Sequence, residues 1–79
     1  MSNTISLEQC VRNSLERYFE DLGDSQAHDV LAMVVHRIER PVLELVLEKA
    51  QGNQTKAAEM LGITRSTLRK KLQAHNLQP

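Results

Sequence analysis

Arg65, Arg69, Lys70 and Lys71 place four cations within seven residues, and no Asp or Glu between residues 62 and 79 neutralises them. Such side chains have two uses against a polyanion. A guanidinium can donate two parallel bonds to guanine O6 and N7, whereas a lysine ammonium acts as a point charge on a phosphate. Leu68 and Leu72 lie one turn apart, so a helix that buries them leaves Arg65, Arg69, Lys70 and Lys71 to solvent. The bland alternative is an ordinary helical hairpin with a solvated basic face. The charge distribution weighs against it: the chain is formally neutral, yet residues 1–40 hold four bases against seven acids and residues 41–79 hold six against three. A neutral total also predicts weaker non-specific binding to nucleic acid than a uniformly basic chain would show.

No other chemistry has comparable support. His28 and His36 are eight residues apart, too far for a one-turn ligand pair, and no carboxylate completes a set with His75, so all three read as surface or interface histidines. Glu44 with Glu48, and Glu16 with Glu20, are one turn apart, but without a pocket-forming fold such pairs are solvated faces. Cys10 is the single cysteine, which excludes an intramolecular disulfide and a CxxC site; it reads as a small core residue on or beside an apolar face, in a reducing cytoplasm. Neither it nor Ser66 or Thr67 has an evident activating base. No enzyme, cofactor or metal is expected. No apolar run approaches bilayer length and no basic, then apolar leader opens the chain, so neither a membrane nor export is expected.

The elements that must position the cations are two short helices between Gln54 and Asn76. Asn53 can cap the first, whose Ala57, Ala58 and Leu61 share a face, the alanines being small enough for close helix approach. Gly62 supplies a left-handed residue, Ile63 plugs the corner, and Thr64 can cap the second helix, giving a connection of about three residues. In a helix-turn-helix of this layout the second helix enters the major groove N-terminus first, bringing Thr64, Arg65 and Thr67 nearest the base edges.

Upstream, Ser6 and Gln9 have capping-box spacing and Ile5 can staple the first turn, so a helix should begin near Leu7. Val11, Leu15, Tyr18 and Leu22 form its stripe, Phe19 widens it, and Gly23 closes it, while residues 1–4 are expected to be disordered. A longer helix should start between Gln26 and Asp29, with Leu31, Val34, Val35, Ile38, Val42, Leu45 and Val46 recurring at spacings of three and four. Pro41 interrupts it, but the stripe keeps phase, which predicts one kinked helix over about residues 28–50, with Gln51 loosely helical and Gly52 closing. Seventy-nine residues bury a limited fraction of their surface, and the first two helices carry more apolar face than one copy can cover. The expected fold is therefore all-α with four helices. Residues 1–52 form a dimerisation core built on Val11, Leu15, Tyr18, Leu22, Leu31, Val34, Val35, Ile38, Val42 and Leu45, and residues 53–79 a reading unit, within a single compact domain. A monomeric four-helix domain is the alternative.

Gly52-Asn53-Gln54-Thr55-Lys56-Ala57-Ala58, Leu61-Gly62-Ile63, Arg65 and Thr67-Leu68-Arg69-Lys70-Lys71-Leu72 closely resemble the Fis family of bacterial nucleoid-associated proteins. The likeness extends back through Ile38-Glu39-Arg40-Pro41-Val42-Leu43, which resembles the family's proline-kinked helix, and through Val11 to Phe19, so it covers nearly the whole chain. The resemblance implies an intertwined homodimer in the bacterial cytoplasm that binds double-stranded DNA at degenerate, AT-rich sites, bends it and regulates transcription, with RNA polymerase as a further candidate partner. It implies that Asn53, Thr55 and Lys56 contact phosphates, that Arg65 reaches a base edge and adjoining backbone, and that Thr67, Arg69, Lys70 and Lys71 hold the flanking strand. Thr64 departs from the Asn of the best-known pattern: it can cap and contact, but it cannot make an amide's paired bonds to adenine. Members that stimulate DNA invertases carry a longer front end forming a mobile β-hairpin arm, so invertase activation is not expected here. Output domains of NtrC-type regulators have a similar reading unit, and a helical protein-interaction adaptor is the reading from a different class.

Overall fold

The computed structural model describes residues 6–77; the expectations about residues 1–4 and the Ile5 staple lie outside them. The described chain is all-helical, with α1 (Leu7–Leu22), α2 (Val30–Lys49), α3 (Gln54–Leu61) and α4 (Arg65–Ala74). No described helix is long and apolar enough to cross a membrane. The chain divides between Val30 and Leu31 into two compact units.

The first unit holds α1. Ser6 Oγ accepts from the Gln9 N–H at 3.1 Å, satisfying one of the donors that a helix start leaves free, and Gly23 ends the helix at φ 63°. Gln9 joins this cap through its backbone, while its side-chain Nε2 donates to Asn13 Oδ1 at 3.0 Å. Val11, Leu15, Tyr18 and Leu22 are half-buried, Leu7 and Phe19 are exposed, and no residue of the helix is fully buried. Tyr18 and Phe19 meet edge to face with ring centroids 5.4 Å apart. Cys10 is exposed, which corrects its placement as a small core residue: the half-buried stripe runs through Val11, and Cys10 falls outside it.

The second unit holds α2 from Leu31 onward, and that helix begins at Val30 rather than at residues 26–29, because Asp29 takes φ 51°, outside the right-handed helical region. The helix continues through Pro41 to Lys49 as one element. It stops by folding back: the Gln51 N–H donates to the Glu48 carbonyl and the Gly52 N–H to the Leu47 carbonyl, each at 3.0 Å. This is a Schellman ending, and it corrects the reading of Gln51 as loosely helical, since its φ is 56°.

α2 carries two apolar faces where one stripe was expected. Leu43 and Ala50 are buried in a core with Ala57, Ala58, Leu68 and Leu72, and Val46, Leu47, Leu61, Ile63 and Leu77 pack around it. Val34 and Ile38 are half-buried, whereas Leu31, Val35, Val42 and Leu45 are exposed, Leu45 to 54%. The face carrying Leu43, Val46 and Leu47, continued by Ala50 just past the helix end, is the one that seats α3 and α4.

Candidate nucleic-acid interface

Local chemistry places the two short helices. Asn53 Oδ1 accepts from the Lys56 N–H at 3.1 Å and starts α3, leaving Asn53, Thr55 and Lys56 exposed at its N-terminal end. Ala57 is 0% exposed and Ala58 4%, as close approach of a second helix requires. Gly62, at φ 77°, donates to the carbonyls of Ala58 and Glu59, and Ile63 N–H reaches the Ala58 carbonyl at 3.1 Å, so the chain reverses within residues 62–64.

Thr64 Oγ1 accepts from the Thr67 N–H at 3.1 Å and donates to Thr67 Oγ1 at 2.9 Å, with Ser66 Oγ 3.4 Å away. The one hydroxyl proton of Thr64 is thereby used within the cap, and Thr67 is half-buried beneath it. Leu68 and Leu72 are almost wholly buried, anchoring one side of α4, while Arg65, Arg69 and Lys70 are exposed on the other. Among the described residues these three cations, and Lys56 in the first turn of α3, form no ion pair.

Lys71 differs, which corrects its placement in open solvent. It is half-buried, and its Nζ meets Glu39 Oε2 on α2 at 2.6 Å. His75, read as a surface or interface histidine, is also corrected: it is 3% exposed, its Nε2 lies 3.2 Å from Glu39 Oε1, and its ring stacks on His36 at 4.2 Å with planes 18° apart. The reason is the end of α4. Asn76 at φ 57° donates to the Gln73 carbonyl and Leu77 to the Leu72 carbonyl, and Leu77 packs on the shared core. His28 and His36 are exposed, as read.

Bonds from Lys71 and then from His75 hold the Glu39 carboxyl below its ordinary value, against a smaller opposing effect of desolvation. Glu39 and Arg40 were not singled out by motif chemistry, and their partners lie 32 to 36 residues away. A usable signal did exist. Glu39 stands four residues before Leu43, on the face that reaches α3 and α4.

The described geometry can therefore present exposed cations beside a capped helix start, on two helices fixed by one small core. Comparison with known proteins agrees in kind. The profile of the family described as "Bacterial regulatory protein, Fis family" matches residues 35–75. The chain is 49% identical over 71 residues to a protein of Neisseria meningitidis serogroup A named Fis-like and DNA-binding, covering 90% of each. It is 52% identical to one of the same name in Ralstonia nicotianae, covering 90% of this chain and 92% of that one. It is 39% identical to the DNA-binding protein Fis of Proteus mirabilis, covering 90% of this chain and 72% of that one.

Proposed function

The chain belongs to the Fis family of bacterial regulatory proteins, and from that premise we propose that it is a dimeric DNA-binding and DNA-bending protein of the bacterial nucleoid that regulates transcription. The observation that carries this reading is the start of α4, where exposed Arg65 follows the Thr64 cap on a helix anchored from behind by Leu68 and Leu72. α4 enters the major groove by this end, with Arg65 at the base edges and adjoining backbone. Thr64, whose hydroxyl is committed to the cap, contacts without specifying adenine. Asn53, Thr55 and Lys56 lie against one stretch of phosphates, and Thr67, Arg69, Lys70 and Lys71 against the flanking strand. Positioning by phosphates with few base contacts suits degenerate, AT-rich sites.

Residues 1–52 pair with a second copy, and residues 53–79 read. This division is supported by the apolar side chains that one copy leaves exposed: Leu7 and Phe19 on α1, and Leu31, Val35, Val42 and Leu45 on α2. The half-buried Val11, Leu15, Tyr18, Leu22, Val34 and Ile38 complete the pairing surface. Pro41, inside α2, bends the helix because its ring displaces the carbonyl four residues back. The two reading helices lie closer than one turn of straight duplex, so docking both bends the DNA.

An electrophoretic shift on an AT-rich duplex at two salt concentrations, with sedimentation equilibrium on the free protein, tests the reading. Retardation that weakens with salt and a mass of two chains are expected. No retardation at low salt would favour the protein-interaction adaptor, and a single 9.0 kDa species would remove the two-fold docking.

A further inference from the structure

Glu39 belongs to α2, outside the two short helices, yet its carboxylate holds one of the four cations of α4. Oε2 takes the Lys71 ammonium at 2.6 Å, and Oε1 faces His75 Nε2 at 3.2 Å. A DNA phosphate would call on the same ammonium. We propose that Glu39 sets the discrimination of α4 by competing with DNA phosphate for Lys71, so that Lys71 stays on Glu39 in loosely docked, non-specific complexes and is released to phosphate only in the fully docked one. The inference rests on the reading of α4 as the helix that meets DNA.

Three features of the site support it. The contact is a charge-assisted bond between side chains only 34% and 28% exposed, so salt screens it less than an open surface pair. The carboxylate is held from its far side: the His75 ring it bonds is buried and stacked on His36, and the His75 carbonyl is taken by Arg40 Nη1 at 2.7 Å. Lys71 is also singled out, because Arg65, Arg69 and Lys70 have no such carboxylate among the described residues. Non-specific binding comes almost wholly from counterion release, so withholding one cation weakens it directly. Binding to a preferred site also draws on base contacts and full docking, and loses proportionately less.

The test compares wild type, Glu39→Gln, Lys71→Gln and the double variant on a selected and a scrambled duplex across a salt series. Gln retains an amide oxygen for His75 while removing the charge that holds Lys71. On the scrambled duplex Glu39→Gln should steepen the salt slope by about 0.9 per subunit and tighten binding roughly three- to tenfold near 0.1 M salt. The selected duplex should change less, so discrimination falls, and in the Lys71→Gln background Glu39→Gln should have no effect on the slope. An unchanged slope on the scrambled duplex, or the same gain without Lys71, would overturn the inference. Failure of the wild type to bind either duplex would overturn the DNA reading itself and this inference with it. Nitrogen NMR of the Lys71 ammonium in the unaltered protein gives an answer independent of any variant's folding. Its signal should move with the selected duplex and hold with the scrambled one, and equal movement with both would overturn the competition.

Discussion

The guanidinium of Arg40 on α2 donates from Nη1 to the backbone carbonyl of His75 at 2.7 Å, across 35 residues of chain. A helix C-terminus presents carbonyls without intrahelical partners and a partial negative charge, and a cation from another helix satisfies both. α4 is thus pinned at the end remote from Arg65, on the helix that also supplies Glu39 to Lys71 and His75. Arg40 is half-exposed and shares its Nε with Glu44 at 3.4 Å, so the bond contributes modestly. Arg40→Met should cost about 1 kcal/mol in urea unfolding and speed amide exchange in the last turn of α4 before it affects α3.

Leu68 is 0% exposed and joins α4 to Leu43 of α2, to Ala50 just past the end of α2 and to Ala57 and Ala58 of α3 within one core. Leu68→Ala removes buried methyl groups from a core of few residues, with little else to collapse into the space. Denaturant titration should show a loss of roughly 2 to 5 kcal/mol. A change under 1 kcal/mol would mean that the reading unit does not depend on this packing.

Gln51 holds a left-handed conformation at φ 56° with a side chain that does not favour it. Relief of that strain is worth roughly 1 to 2 kcal/mol, and the extra freedom of glycine in the unfolded chain costs roughly 0.5 to 1. Gln51→Gly should therefore stabilise the fold by about 0.5 to 1 kcal/mol, read as a raised Tm. Gly62→Ala should act in the opposite direction, since Gly62 sits at φ 77° and a methyl group there would meet no atom within 4 Å, leaving backbone strain as the cost.

Glu39 gives the fold an acid dependence whose sign follows from its environment. Bonds from Lys71 and His75 place its folded-state pKa below the ordinary 4.5, so the unfolded chain binds the proton more readily. The stabilisation is present above pH 4.5 and is lost as pH falls through the lowered folded-state value. Melting curves from about pH 6 to about pH 3 should show wild type losing an increment of stability that Glu39→Gln never has. Parallel curves for the two proteins would count against the Glu39 bonds as the source.

Arg65 and Lys70 are both exposed on α4, one in its first turn and one further along. Under the proposed docking, Arg65→Ala should weaken binding to a preferred site by about 1 to 3 kcal/mol per half-site and affect a scrambled duplex less. Lys70→Ala should weaken both alike and lower the salt slope by roughly one counterion per subunit. Equal effects of the two variants on both duplexes would move specificity from Arg65 to the shape and flexibility of the bent DNA.

The sequence by itself determined the features whose causes are local. The caps at Ser6, Asn53 and Thr64, the reversal at Gly62, the close alanines and the inward Leu68 and Leu72 all follow from residue type within a turn or two, and each stands in the structure. So does the passage of one helix through Pro41, because the apolar spacing on either side kept phase. The tertiary structure alone decided which face of α2 seats the reading unit. Leu43 and Leu47 share that helix with Leu31 and Leu45, and hydrophobic periodicity cannot say which of two apolar faces meets α3 and α4. It likewise decided that Lys71 is held by a carboxylate and that His75 is buried. Those contacts join residues more than 30 apart, and an ion pair across two helices depends on how the helices cross, which no local spacing encodes.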